Sequence, residues 1–144
     1  MYPYLPKNRK ILYVKPDNKF MKEATELLAI SGCVQPTAAV IVKNRKIISR
    51  GTNKIKIKVD ICPRKRLGYS SGTGYEICKS VCGQEGHAEA MAIRDTPKKA
   101  ENLKGASLYL DGHWWICKDC WDKIIKAGIS RVYLRKDSMK LYKK

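Results

Sequence analysis

The apolar positions of this chain change rhythm several times, and each change marks an element. Residues 36–43 (PTAAVIVK) are almost continuously apolar over the length of a strand, and residues 46–51 (KIISRG) form a second such run. Asn44 and Arg45 lie between them, so the two runs read as a hairpin. Unbroken apolarity in the first run predicts a central strand covered on both faces. Earlier in the chain, Phe20, Ala24, Leu27, Leu28 and Ser31 recur at helical spacing and predict a helix over 19–30. Asp17 is the expected N-cap and Gly32 the stop. Residues 10–14 read as a short edge strand.

The second half alternates helix and strand. Residues 86–95 predict a buried helix, stopped by Thr96-Pro97. A strand follows over 106–110. Cys117 opens a helix that runs to Ala127 and is capped by Gly128, and a strand follows over 129–134. This alternation predicts a three-layer α/β/α sandwich, with parallel strand pairs in a mixed central sheet of four to five strands. Residues 11–14 would supply the fifth. One domain covers 1–144, with an N-terminal arm over 1–16 and a Cys-containing insertion over 54–85. Within the insertion, residues 54–61 alternate Lys with Ile or Val in a half-exposed strand pattern. Residues 68–74 (GYSSGTG) are loop chemistry, and 75–82 predict a short helix. A connection of this length in a small domain usually has a function.

Charge changes the picture more than overall composition does. Thirty basic and 13 acidic residues leave a net charge of +17. Such a balance favours phosphate-bearing partners, a nucleotide or a nucleic acid. The lysines are scattered, which equally suits a solvated surface. No apolar run reaches the roughly 20 residues that span a bilayer, and the N-terminus lacks a signal-peptide core. A cytoplasmic location without membrane contact is therefore expected. In that reducing compartment the six cysteines read as thiols or metal ligands.

Two short stretches carry the chemistry. Gly86-His87-Ala88-Glu89-Ala90 supplies H-x-E, and Ile116-Cys117-Lys118-Asp119-Cys120 supplies C-x-x-C. Together they approach the signature of zinc-dependent nucleobase deaminases. A catalytic zinc takes three protein ligands and leaves a position for water. His87, Cys117 and Cys120 meet that count, with Glu89 placed to move protons beside the metal. In the expected reaction a zinc-activated water attacks the ring carbon bearing the exocyclic amine, and Glu89 passes its proton to the departing nitrogen.

From about Ser31 to Leu134 the chain resembles the cytidine deaminase superfamily, most closely the deoxycytidylate (dCMP) deaminases of bacteria and phages. The resemblance rests on SGCVQPTAAVIVKNRKIISRGTN, on GHAEAMAI, and on LYLDGHWWICKDCWDKIIKAGISRVYL. It implies a cytidine-deaminase-type sandwich and an enzyme that converts dCMP to dUMP and ammonia. It implies that Asn53 binds the substrate sugar and that the backbone N–H of Ala88 meets the base carbonyl. It also implies a homo-oligomer. Ile116 stands where the family has Pro before the first zinc Cys, and Thr52 and Lys54 flank Asn53 where the family has an aromatic residue and Gly.

Four cysteines remain: Cys33, Cys62, Cys78 and Cys82. Four thiols suit a tetrahedral structural zinc, a feature of several phage-type dCMP deaminases, and His113 could replace one of them. Cys78 and Cys82, four apart, would share a helix face. One of Trp114 and Trp115 is expected to line the base pocket, with Trp115 assigned to substrate binding, while Trp121 is expected to pack. Arg64 and Arg66 are the expected phosphate contacts, with Glu85 and Lys54 as weaker candidates. Two other functions fit the charge: a deaminase acting on tRNA or single-stranded DNA bases, and an inactive deaminase-fold module that binds nucleic acid. The presence of Glu89 argues against the second, because binding alone does not need it.

Overall fold

Asn44 and Arg45 take positive φ, 52° and 62°, the left-handed pair that a two-residue hairpin turn requires. They join β2 (Ala38–Lys43) to β3 (Lys46–Thr52). The computed structural model describes residues 3–57, 60–69, 74–97 and 102–143. Within these, β1 (Leu12–Val14), β4 (Ser107–Asp111) and β5 (Arg131–Arg135) complete a five-stranded sheet of order β1-β5-β4-β2-β3. β2 is antiparallel to both of its neighbours, while β4, β5 and β1 run parallel. The sheet therefore has five strands, and the fifth is the N-terminal segment.

Side chains alternate across the sheet, and each set meets its own helices. Ala39, Ile41, Leu108, Leu110, Val132 and Leu134 pack on one face. They meet α4 (Ala88–Arg94) and α5 (Lys118–Ala127), with Trp121 and Ile124 fully buried between. Val40, Val42 and Tyr109 pack on the other face against Met21 and Ala24 of α1 (Lys19–Ser31). β2 is buried from Ala38 to Val42 because both its faces are covered. The three-layer sandwich follows from that coverage.

Three local expectations change. Asn18, not Asp17, caps α1: its side-chain oxygen accepts from the N–H groups of Phe20 and Met21 at 3.0 and 3.1 Å. Asp17 lies one residue too early to reach them. Met21, absent from the predicted face, is fully buried. The half-exposed strand expected over 54–61 is not formed among the described residues, and Lys58 and Val59 lie outside them. The N–H groups of Lys56 and Ile57 instead both donate to the Cys82 carbonyl at 2.9 and 3.0 Å. Ile55 is buried while Ile57 and Ile61 face solvent, so alternation here reflects a single anchor rather than a sheet.

The rest of the insertion holds α2 (Pro63–Arg66) and α3 (Tyr75–Ser80), which pack together. The loop residues 70–73 lie outside the described residues. After β5 the chain forms α6 (Ser138–Tyr142). Among the described residues no helix is long and apolar enough to cross a membrane.

Candidate metal centre and active site

Two helices start at the same place. His87 is the N-cap residue of α4 and Cys117 the N-cap residue of α5, with Cys120 in the first turn of α5. The His87 Nδ1 lies 3.4 Å from Cys117 Sγ and 3.5 Å from Cys120 Sγ. All three donor atoms fall within 4.8 Å of one another, and this is the metal-competent group among the described residues. Ligands held at 2.0–2.3 Å around a tetrahedral ion are roughly 3.5–3.8 Å apart. The two nitrogen–sulfur edges, 3.4 and 3.5 Å, lie at the short end of that range, and two sulfurs with one imidazole are a zinc-type donor set. The residues therefore fit the ion.

The electrostatics agree with a ligand role. A hydrogen bond from the Cys120 thiol and the nearby His87 hold Cys117 down to about 4. Cys120 is pushed far up by the proton it shares with Cys117 and by burial. Burial alone would pull the His87 imidazole down, but its hydrogen bond to Cys117 and the charge of Glu89 outweigh that and raise it. Glu89 is buried beside this group, and burial raises its carboxyl despite the attraction of His87. A carboxyl with a raised proton affinity next to a metal site suits proton transfer near neutral pH.

A cavity opens over these residues and is walled by one end of the sheet, where β2 starts and β3 and β4 finish, and by the insertion. Glu89, Asn53, Arg64, His113 and Trp115 line it. Ala88 is buried as the first residue of α4. Ile116 is fully buried in the main core, so its side chain anchors the turn before Cys117 by packing. Of the three tryptophans, Trp115 lines the cavity with its Nε1 donating to the Tyr4 carbonyl at 2.7 Å. Trp114 is buried, with the Lys143 ammonium 4.9 Å from its ring, and Trp121 belongs to the core.

Asn53 is at the cavity but much engaged. Its side-chain oxygen accepts from Ser31 Oγ at 2.6 Å and from Thr37 N at 2.8 Å, and its Nδ2 donates to the Gln35 carbonyl at 3.0 Å. Among the described residues these bonds use all but one N–H of the amide. The two arginines separate. Arg64 is buried in the cavity wall, its guanidinium 4.1 Å from the centre of the Tyr75 ring, whereas Arg66 is exposed and does not line the cavity. Lys54 is exposed, and Glu85 pairs with Lys56 and Arg94 at the surface.

Sequence reasoning missed Tyr75, whose ring meets His87 edge-on at 4.4 Å and carries the Arg64 guanidinium 4.1 Å from its centre. Its neighbourhood offers no motif. Every pair among Cys33, Cys62, Cys78 and Cys82 interacts electrostatically. Burial raises the Cys78 thiol to about 11. No three of these four sulfurs fall within 4.8 Å of one another among the described residues, and three of the four thiols line the same cavity as Glu89.

No curated protein sequence matches the chain. Among solved structures, it is similar to the dCMP deaminase of cyanophage S-TIM5 in apo form, with 25% identity and a TM-score of 0.53, over 86% of each chain. The same phage enzyme in complex with dCMP and dUMP has 24% identity and a TM-score of 0.56, over 91% of this chain and 93% of that one. A Thermotoga maritima diaminohydroxyphosphoribosylaminopyrimidine deaminase/5-amino-6-(5-phosphoribosylamino)uracil reductase is 32% identical over 80% of this chain, with a TM-score of 0.49, and this chain spans 28% of its length. A family model, the cytidine and deoxycytidylate deaminase zinc-binding region, matches residues 14–136. Together with the His87, Cys117 and Cys120 group, that match makes the chain a member of the cytidine and deoxycytidylate deaminase family, with zinc as its cofactor.

Proposed function

We propose that this deaminase converts a cytosine nucleotide, dCMP, to dUMP and ammonia, using His87, Cys117 and Cys120 as zinc ligands and Glu89 as the proton carrier. The observation that carries the nucleotide reading is Arg64. An arginine only 7% exposed as a whole residue, in the wall of the reaction cavity, is suited to bind a phosphate monoester. The phage relative whose structure contains dCMP and dUMP supports the same choice.

Zinc, when bound, would lower the pKa of water towards about 7. Glu89 takes one proton from the attacking water and delivers it to the ring nitrogen beside the attacked carbon, then carries the second proton of that oxygen to the exocyclic nitrogen. A carbon–oxygen bond forms at the ring carbon, the carbon–nitrogen bond breaks, and ammonia leaves. Trp115 supplies an apolar wall for the base, and the Ala88 N–H meets its carbonyl, as the family resemblance implies. A structural ion among Cys33, Cys62, Cys78 and Cys82 belongs to the same reading and would tie the insertion to the end of α1. So do a homo-oligomer and a cytoplasmic location.

Ammonia release from dCMP, CMP, dCTP, deoxycytidine, a cytosine oligonucleotide and diaminohydroxyphosphoribosylaminopyrimidine tests the substrate. Turnover of dCMP above the others is expected. Preference for the oligonucleotide would assign the +17 charge to nucleic acid instead. Preference for the phosphoribosyl pyrimidine would keep Arg64 in its role and replace the base. Metal analysis should give two zinc ions per chain, falling to one in Cys82→Ser; a single ion in the wild type removes the structural site.

A further inference from the structure

We infer that Gln84 is a specificity-determining residue that accepts a hydrogen bond from a sugar hydroxyl of the nucleotide through its side-chain oxygen. This rests on the nucleotide reading above, which supplies the sugar.

Gln84 lies at the end of the insertion, just before the metal ligand His87. Its backbone is fixed by the turn after α3, where its N–H donates to the Cys78 carbonyl at 3.0 Å. Its side chain is fixed as well. The residue is only 5% exposed, and its Nε2 donates to the Asn53 carbonyl at 3.1 Å. A carbonyl oxygen only accepts, so the end of the amide that meets it is the nitrogen. Among the described residues the Gln84 Oε1 has no hydrogen-bond partner. It is not sealed off either: the side-chain atoms both buried and unpartnered there are Trp121 Nε1 and Ser138 Oγ. The oxygen therefore opens on a hollow.

Two hollows adjoin Gln84. One is the catalytic cavity, with Asn53 and Glu89, and the other lies behind His87, with Glu76 and Lys123. The amide reaches Asn53, which lines the first and not the second, so Oε1 belongs to the catalytic side. The chemistry of the ligand follows from what stands there. Asn53 keeps one amide N–H, a donor, because its oxygen is filled by Ser31 and Thr37 and its other N–H by Gln35. Gln84 adds an acceptor on the neighbouring wall. A hydroxyl both donates and accepts, so it satisfies the two together, whereas a carbonyl satisfies only the donor and a phosphate oxygen is repelled by the acceptor. The metal group takes the base and Arg64 the phosphate. The sugar is left for the uncharged wall where Asn53 and Gln84 meet.

The test compares dCMP with 3′-fluoro-2′,3′-dideoxy-CMP, in which fluorine keeps the size of the sugar hydroxyl and removes its hydrogen, in zinc-loaded wild type, Gln84→Met and Gln84→Glu. Loss of one such hydrogen bond is worth about tenfold in kcat/KM. Wild type should prefer dCMP by about that factor. Gln84→Met keeps the length of the side chain without the amide, and should bring the two substrates to near equality, chiefly by raising KM for dCMP, at the zinc content of the wild type. Gln84→Glu keeps an acceptor at the same reach, so the preference should persist even where the new charge weakens both substrates alike. Gln84→Met falling equally on both substrates would make Gln84 only a support for Asn53 and overturns the proposal, as does loss of the preference in Gln84→Glu. A wild type that is active on both substrates without preference overturns it with no variant needed. Wild-type inactivity on every pyrimidine nucleotide overturns the nucleotide reading, and this one with it.

Discussion

Asn53 joins three segments of chain with a single amide: the end of α1 through Ser31, the following turn through Gln35, and the start of β2 through Thr37. Each hydrogen bond is worth about 1 kcal/mol net, and stranded buried partners add to the loss. Asn53→Ala should therefore lower the unfolding free energy by about 2–3 kcal/mol in urea titrations, besides any effect on KM. An effect on KM alone would restore a purely sugar-binding role. In the proposed mechanism the burial of Glu89 serves chemistry instead. Glu89→Gln should lower turnover by about 10²–10⁴-fold while metal analysis shows the catalytic ion retained. Wild-type rates in that variant would sink the proton-carrier role. At this scale the metal group was legible because each half is a short motif, H-x-E and C-x-x-C, whose spacing is set by a helix start. Arg64 and Arg66 were indistinguishable, because two residues on one short helix turn to opposite surroundings only once it packs.

At the scale of elements, the site depends on how closely α4 approaches β3. Gly51 has no side chain where α4 crosses, and a Cβ there would overlap the backbone of Ala88 and Ala92. Gly51→Ala must push away the helix that begins at His87. Overpacking of this kind costs about 1–3 kcal/mol, and the displaced histidine should weaken zinc binding as well. A competition assay with a chelator reads that second effect, and unchanged zinc affinity would show that α4 yields elsewhere. The helices and the central hairpin were readable because amphipathic period and turn chemistry are local. The alternating stretch 54–61 misled because Ile55 is held by the Ser31 carbonyl and Lys56 and Ile57 by that of Cys82. These partners are remote in sequence.

The whole molecule is closed by a buried charge. Asp111 ties α1 through Thr25, β5 through Arg135 and α6 through Tyr142, and the Arg135 side chain is only 15% exposed. Tyr142→Phe removes one donor from a fully buried carboxylate and should cost about 1–3 kcal/mol. Burial and the neighbouring Asp111 push the Tyr142 hydroxyl up to about 12. A folded value above the unfolded one near 10 means that this contribution is complete below about pH 10 and is lost as pH rises through about 12. The stability gap between wild type and Tyr142→Phe should therefore narrow over that interval. A gap independent of pH would mean that the hydroxyl does not titrate against Asp111.

The sequence by itself determined what depends on near neighbours. The helices and strands of the sandwich, the pairing of H-x-E with C-x-x-C, and zinc as cofactor all follow from local period, turn chemistry and ligand spacing. Tertiary structure decided which residues share the cavity. The insertion, the loop after β4 and the end of β3 converge there from distant parts of the chain, placing Arg64, Tyr75 and His113 around the metal group while engaging most of Asn53. Burial and hydrogen-bond partners of that kind are properties of packed surfaces, and no spacing along the chain encodes them.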